Sequence, residues 1–316
     1  MSQNFRLDKA GYINRNKKIS FKFNGKKYFG YEGDTLASAL LANGIHLVGR
    51  SFKYHRPRGF IGAGVDEPNA HVQLYSGAKT EPNAIATAVE LVEGLVAKSQ
   101  NCWPSVSFDF GAINNLFNKF FPAGFYYKTF MWPKSFWYKI YEPIIRKAAG
   151  LGVAPLKPDP DRYEHKFEYC DVLVAGSGPS GLASALAAAK NGARVILAED
   201  KPRFGGSLLT DEVTIGNKKG KDWADETISQ LKSMPNVIVK NRSQIFGYYD
   251  HNMMVMFERT KDHIENPSKF TPRQKLWYIR AKEVVVSTGS IERPLVFGNN
   301  DRPGIMLASA AKEYMK

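Results

Sequence analysis

The sequence predicts an α/β chain of two sheet-based domains, and three observations predict it. A hairpin pattern followed by a helix opens the chain over 19–44, a strand, glycine turn, helix and strand follow one another over 171–199, and an aromatic, proline-rich stretch separates the two. Boundaries are accordingly drawn at 1–100, 101–165 and 166–316, within the usual size of domains. Hydrophobic residues make up 43% of the 316, enough for two real cores.

Residues 19–31 alternate in polarity about Asn24-Gly25, a pair that readily takes the positive φ angles of a tight hairpin turn. Asp34 or Thr35 is placed to cap a helix whose apolar face includes Leu36, Ala39 and Leu40, and Gly44 can end it. Strand, turn, strand, helix is how a ferredoxin-like β-grasp domain begins. Cluster-bearing domains of that kind carry closely spaced cysteines after the helix, and 45–64 contains none, so a cysteine-free β-grasp domain with no Fe–S cluster is expected. The whole chain has two cysteines, Cys102 and Cys170, too few for a disulfide framework or a four-thiolate metal site, which points to a reducing cytoplasm. In the same loop RSFKYHRPRG (Arg50 to Gly59) sets Arg50, Lys53, Arg56 and Arg58 around Phe52, Tyr54 and His55. It reads either as a clamp for a phosphate or an acidic partner, or as a solvated basic loop packed on a neighbouring domain. His55 is expected to be a hydrogen-bonding loop residue rather than a catalyst.

The middle stretch holds prolines 104, 122, 133, 143, 155, 158 and 160, which prevent one long helix and favour short pieces laid over another surface. Its aromatic residues suit a membrane interface or, as is commoner, a buried contact with another domain or subunit. The formal net charge of +14 fits nucleic acid, a membrane surface, anionic cofactors or an acidic subunit. No nucleic-acid motif accompanies it, so no such partner is expected. The N-terminus has no apolar run of signal-peptide length, and no stretch of about 20 apolar residues exists to span a bilayer.

In DVLVAGSGPSGLASALAAAKNG (Asp171 to Gly192), Val172, Leu173 and Val174 form an apolar strand of the kind buried in a parallel sheet. Gly176 permits the tight turn, Gly178 lets the backbone approach a pyrophosphate, and Gly181 lets the helix pack closely on the strand. Pro179 and Ser180 occupy the first helical turn, where a missing N–H is harmless, and the helix ends near Asn191-Gly192. A second strand, Arg194 to Ala198, delivers Glu199, where an acid grips ribose hydroxyls. Glu199 would repel a 2′-phosphate, which disfavours NADP; it does not separate NAD from FAD. Asp200 and Lys201 could contact the adenosine, and the pair Gly205-Gly206 with Ser207 extends the loop in the manner of two-dinucleotide flavoproteins. A further strand, Val284 to Ser290, would pass under the pyrophosphate at Thr288-Gly289. The second domain is therefore expected to be Rossmann-like and, for want of a second nucleotide half after Ala310, incomplete at its C-terminus. No acid–base pair or nucleophile adjoins the glycine loop, so no catalytic residue is assigned.

Several stretches resemble the α subunits of heterotetrameric sarcosine oxidase: RSFKYHRPRG with DEPNA (Asp66 to Ala70), AGFYYKTFMWP (Ala123 to Pro133), the glycine motif, FGYYDHN (Phe246 to Asn252) and STGSIERPLVFGNNDRPGIMLASA (Ser287 to Ala310). The resemblance implies a complex with β, γ and δ subunits that oxidises sarcosine with O2 and passes the one-carbon unit to tetrahydrofolate. It places the amine-oxidising FAD in the β subunit, FMN at the α/β boundary and NAD in this chain, at Ser180, Glu199, Asp200, Lys201 and Ser207, with Phe246 along the adenine. Such α subunits are several times longer and carry a C-terminal folate domain, so the chain reads as an N-terminal fragment or split subunit, inactive alone. Two other readings remain: an FAD-dependent amine or opine dehydrogenase subunit, and a structural scaffold with a degenerate site.

Overall fold

The computed structural model describes residues 3–9, 11–121, 124 and 130–316. The chain divides into two compact units, one of Met1–Pro160 with Glu292–Met315, the other of Asp161–Ile291 with Lys316.

In the first unit β1 (Asn14–Phe23) and β2 (Lys26–Glu32) form the expected hairpin, with Phe23 opposite Lys26 and Asn24-Gly25 at φ 49 and 79°. The two-residue period sends Ile19, Phe21 and Phe23 into the core while Lys18 and Lys22 face solvent. Thr35 caps α1 (Leu36–Ala42) in a reciprocal box with Ser38. Asp34 is occupied otherwise, its buried carboxylate pairing with Arg6 at 2.7 Å. Leu36, Ala39 and Leu40 join Phe21 and Leu95 in one cluster; each large side chain so buried stabilises the fold by about 1.5–3 kcal/mol. A small ribbon, β3 (Gly49–Arg50) with β4 (Pro57–Arg58), stands in the basic loop. β5 (His71–Leu74), β6 (Glu81–Ile85) and β7 (Leu95–Ser99) complete a mixed sheet ordered β2-β1-β7-β5-β6, with β1 and β7 parallel.

Among its described residues the proline-rich stretch forms short turns and a short α-helix, α2 (Glu142–Ala148), with Pro143 in its first turn. Trp103, Phe120, Trp132 and Tyr138 are exposed. Pro122 and most of AGFYYKTFMWP, residues 123 and 125–129, lie outside the described residues. A C-terminal helix, Ala308–Tyr314, closes this unit: the Leu307 N–H donates to the Ile61 carbonyl (2.9 Å) and the Tyr314 hydroxyl to that of Gly62 (3.0 Å).

The second unit alternates β8 (Tyr163–Ala175), α3 (Pro179–Lys190), β9 (Val195–Ala198), a small ribbon of β10 (Thr214–Ile215) and β11 (Lys218–Lys219), α4 (Gly220–Ser233) and β12 (Val237–Lys240). It continues through β13 (Ser243–Tyr249), β14 (Met253–Arg259) and β15 (Gln274–Val286). The sheet order is β12-β9-β8-β15-β14-β13, the first four strands parallel and the last two added antiparallel. Adjacent residues of β8 serve opposite faces: Val174 packs with Leu182, Ala185 and Leu231 of the helices, Leu173 with Met256, Trp277 and Ile279. Buried on both faces, such a strand reads as a continuous apolar run. The strand expected over Val284 to Ser290 is corrected: it runs Gln274–Val286, because it pairs along nearly the whole of β8, and Ser287 to Ser290 lie beyond its end. No helix among the described residues is long and apolar enough to cross a membrane.

Candidate dinucleotide site

At the carboxyl end of β8 the backbone turns on Gly176 (φ 96°), where a Cβ would stand 2.3 Å from the Ser287 carbonyl oxygen. Gly181 faces the same turn from α3, and its Cβ would meet the Gly176 carbonyl oxygen at 2.0 Å. Gly178 differs from both: nothing lies within 4 Å of the place its Cβ would occupy, and its φ of −65° suits any residue. Packing therefore demands two of these glycines, while the third leaves open space before the helix. Pro179 takes the first helical position, Ser180 is exposed beside it, and no side chain caps α3. An uncapped helix start presents unpaired N–H groups and the positive end of the helix dipole, which attract an anion.

The chain after β9 folds back onto this turn through one buried carboxylate. Ser177 N–H and Oγ–H donate to Glu199 Oε2 (2.9 and 2.5 Å), and Lys201 N–H donates to Oε1 (3.0 Å). The Gly205 N–H then donates to the carbonyl and to the hydroxyl of Ser177, both at 3.1 Å. Gly206 (φ 53°) approaches so closely that a Cβ would stand 2.9 Å from Gly178 Cα. Ser207 is exposed on the next turn, and the Asp200 carbonyl accepts from Arg259 (2.9 Å).

Glu199 is only 6% exposed. Burial, with neighbouring Asp200 adding to it, pushes its carboxyl up to about 7, against the pull of the Ser177 and Lys201 donors. A carboxylate offers about four lone-pair sites, and the three internal donors fill most of them. The acid expected at the ribose thus fastens the loop of 200–206 to the glycine turn. Ser177, which the sequence reading passed over, is the hub of this network and fully buried. Its signal was available: it is the one side chain between the first two glycines, and it carries a hydroxyl that a strand-end acid can bind.

The Ser287 N–H donates to the Ala175 carbonyl (2.8 Å), which lays Ser287 and Thr288 against Gly176. Gly289 (φ 73°) follows, exposed. Phe246 stands on β13, an edge strand, where the register slips between Ile245 and Gly247, and is 57% exposed. Its link to the turn is indirect: the Ser243 N–H, three residues earlier, donates to the Glu199 carbonyl (2.7 Å). Among the described residues no group of three or more His, Cys, Asp or Glu is placed to hold a metal ion.

Residues 171–242 match the family described as FAD dependent oxidoreductase, and residues 16–102 the family described as 2Fe-2S iron-sulfur cluster binding domain. The second match corrects the expectation of no Fe–S cluster: counting cysteines judged the ligands, whereas the domain around them matches a cluster-binding family. The residues present do not fit a cluster held by four thiolates. Cys102 is the one cysteine in 16–102, and burial, with Asp109 adding to it, raises its thiol.

The L-proline dehydrogenase of P. horikoshii shares the fold at a TM-score of 0.60 and 21% identity, over 96% of this chain and 47% of that one. Sarcosine oxidase subunit alpha of Corynebacterium sp. (strain P-1) is 34% identical over the whole of this chain and 29% of its own. That of Rhizobium meliloti (strain 1021) is 54% identical over 98% of this chain and 32% of its own. This chain, spanning about a third of the length of those relatives, is a homologue of the sarcosine oxidase alpha subunits.

Proposed function

We propose that the second unit is a Rossmann-like dinucleotide holder within an oxidoreductase assembly of the sarcosine oxidase type. The observation that carries this reading is the open space over Gly178 at the uncapped start of α3, flanked by two glycines that packing requires. Gly176, Gly178, Pro179, Ser180 and Gly181 would receive the pyrophosphate, Glu199, Asp200 and Lys201 the ribose side, Gly206, Ser207, Thr288 and Gly289 the rim, and Phe246 the adenine. A bound dinucleotide supplies hydride or electron transfer; this chain's residues bind and orient it.

NAD is the occupant that the resemblance implies, with amine oxidation carried out in a β subunit and γ and δ subunits completing the complex. A second reading, FAD, is favoured by the match of 171–242 to FAD-dependent oxidoreductases. The exposed aromatic side chains of the middle stretch suit contact with partner subunits, and the compartment proposed is the cytoplasm. Mass spectrometry of nucleotide released from the complex purified with its partners tests the assignment. NAD in stoichiometric amount supports it, FAD replaces it with the second reading, and neither nucleotide overturns dinucleotide binding here.

A further inference from the structure

Within the first unit the basic loop meets residues 299–303. Gly59 makes the approach possible, since a Cβ there would stand 2.8 Å from both Pro303 Cα and the His46 carbonyl oxygen. Arg56 and Arg58 then converge on the two oxygens of Asp301, each at 2.8 Å. Arg56 also donates to Asn299 Oδ1 (3.1 Å), which Arg302 Nε reaches at 3.4 Å. Tyr54, its hydroxyl fixed on the Phe121 carbonyl (2.8 Å), lines with Arg56, Arg58, Asn299, Asn300 and Asp301 an open cleft of about 390 Å³.

Two features of this cleft go unexplained by its internal bonds. The Nε–H groups of Arg56 and Arg58 are buried and make no hydrogen bond, a state that folded proteins rarely tolerate. Two guanidinium groups, those of Arg56 and Arg58, also share the Asp301 carboxylate, and that of Arg302 stands on the Asn299 amide oxygen beside them, so three cations face one anion with a surplus of about two positive charges. Burial lowers the Arg58 guanidinium, Asp301 opposes this, and Arg56 and Arg302 add to the strain of like charge.

We infer that the cleft binds the phosphate group of a small phosphorylated molecule, the phosphate taking guanidinium N–H donors of Arg56 and Arg58 and the organic body lying along Tyr54. A phosphate monoester carries about −1.5 to −2 at neutral pH and matches the surplus, and guanidinium groups suit its oxygens geometrically. The cleft is of the size that small ligands occupy. The site lies wholly in the first unit and is independent of the dinucleotide reading.

Calorimetric titration of the full chain with inorganic phosphate and with phenyl phosphate tests the proposal. Saturable binding of both, tighter for phenyl phosphate, is expected, with affinity falling several-fold between 50 and 300 mM KCl as salt screens the attraction. Arg56→Gln and Arg58→Gln should each weaken binding at least tenfold, Arg58→Lys should weaken it while retaining the charge, and Asp301→Asn should tighten it. Absence of saturable binding, salt-independent affinity in the unaltered protein, or indifference to both glutamine substitutions overturns the site. Equal affinity for the two probes overturns the placement of an organic body on Tyr54.

Discussion

Replacing Gly178 with alanine separates what the glycine turn does for the fold from what it does for a ligand. No atom lies within 4 Å of the added methyl group and φ is −65°, so stability should change by no more than about 0.5 kcal/mol. The methyl group does occupy the space in front of the α3 N-terminus, where a diphosphate must stand to reach the backbone N–H groups. Losing one or two hydrogen bonds to a charged group, at about 1.5–3 kcal/mol each, should lower dinucleotide affinity at least tenfold. Gly181→Ala is the contrast: its Cβ would lie 2.0 Å from the Gly176 carbonyl oxygen, so helix and turn must part by about 1 Å. Overpacking of that kind costs about 1–3 kcal/mol and should lower the melting temperature by several degrees as well as the nucleotide content. Urea denaturation and mass spectrometry of bound nucleotide measure the two effects separately. Full nucleotide content in Gly178→Ala, or destabilisation equal to that of Gly181→Ala, would refute the reasoning.

Glu199→Gln should alter the pH dependence of stability. A carboxyl raised to about 7 in the fold, from 4.5, binds more protons folded than unfolded between those values, so its contribution is full below 4.5 and is lost as pH rises through about 7. Urea denaturation across pH 4.5–8 should show this decline, a few kcal/mol at most, and the glutamine variant should lack it; an unchanged slope counts against the buried acid. Phe246→Ala, on an exposed edge position, should leave stability within about 0.5 kcal/mol but weaken nucleotide binding by about 1–3 kcal/mol if the ring stacks on adenine; calorimetry that finds equal affinities removes Phe246 from the site. Asp109→Ala strips the acceptor from His55 Nδ1 (2.6 Å), Trp103 N–H (2.9 Å) and Gly111 N–H (3.1 Å), and should cost about 3 kcal/mol in the same denaturation assay. A loss below about 1 kcal/mol would mean that water replaces the carboxylate.

Local chemistry determined much of this protein in one dimension. Asn24-Gly25 sets the first hairpin because few other pairs accept two positive φ angles, and Thr35 with Ser38 starts α1 because their side chains satisfy its first N–H groups. Gly176 at φ 96°, Pro179 at the first helical position and Gly181, whose Cβ would strike the Gly176 carbonyl oxygen, mark the turn and helix start through demands of the same local kind. The cysteine count, in contrast, misjudged the first domain, whose residues 16–102 match a 2Fe-2S cluster binding family, because a count weighs four side chains and a family match weighs the pattern of the whole domain.

What lay beyond the sequence were the contacts that long-range packing creates. Pairing with β8 moved the last strand back to Gln274–Val286, since a ladder forms wherever a partner strand extends. Burial made Glu199 the acceptor that joins Ser177, 22 residues away, to the loop after β9. The basic run at Arg50–Gly59 was legible as charge alone; the approach of Gly59 to Pro303 brought Arg56 and Arg58 onto Asp301, 245 residues from Arg56. Sequence spacing carries backbone geometry because that is local, whereas which charge meets which carboxylate, and which donor is left unpaired, is decided when distant segments are buried together.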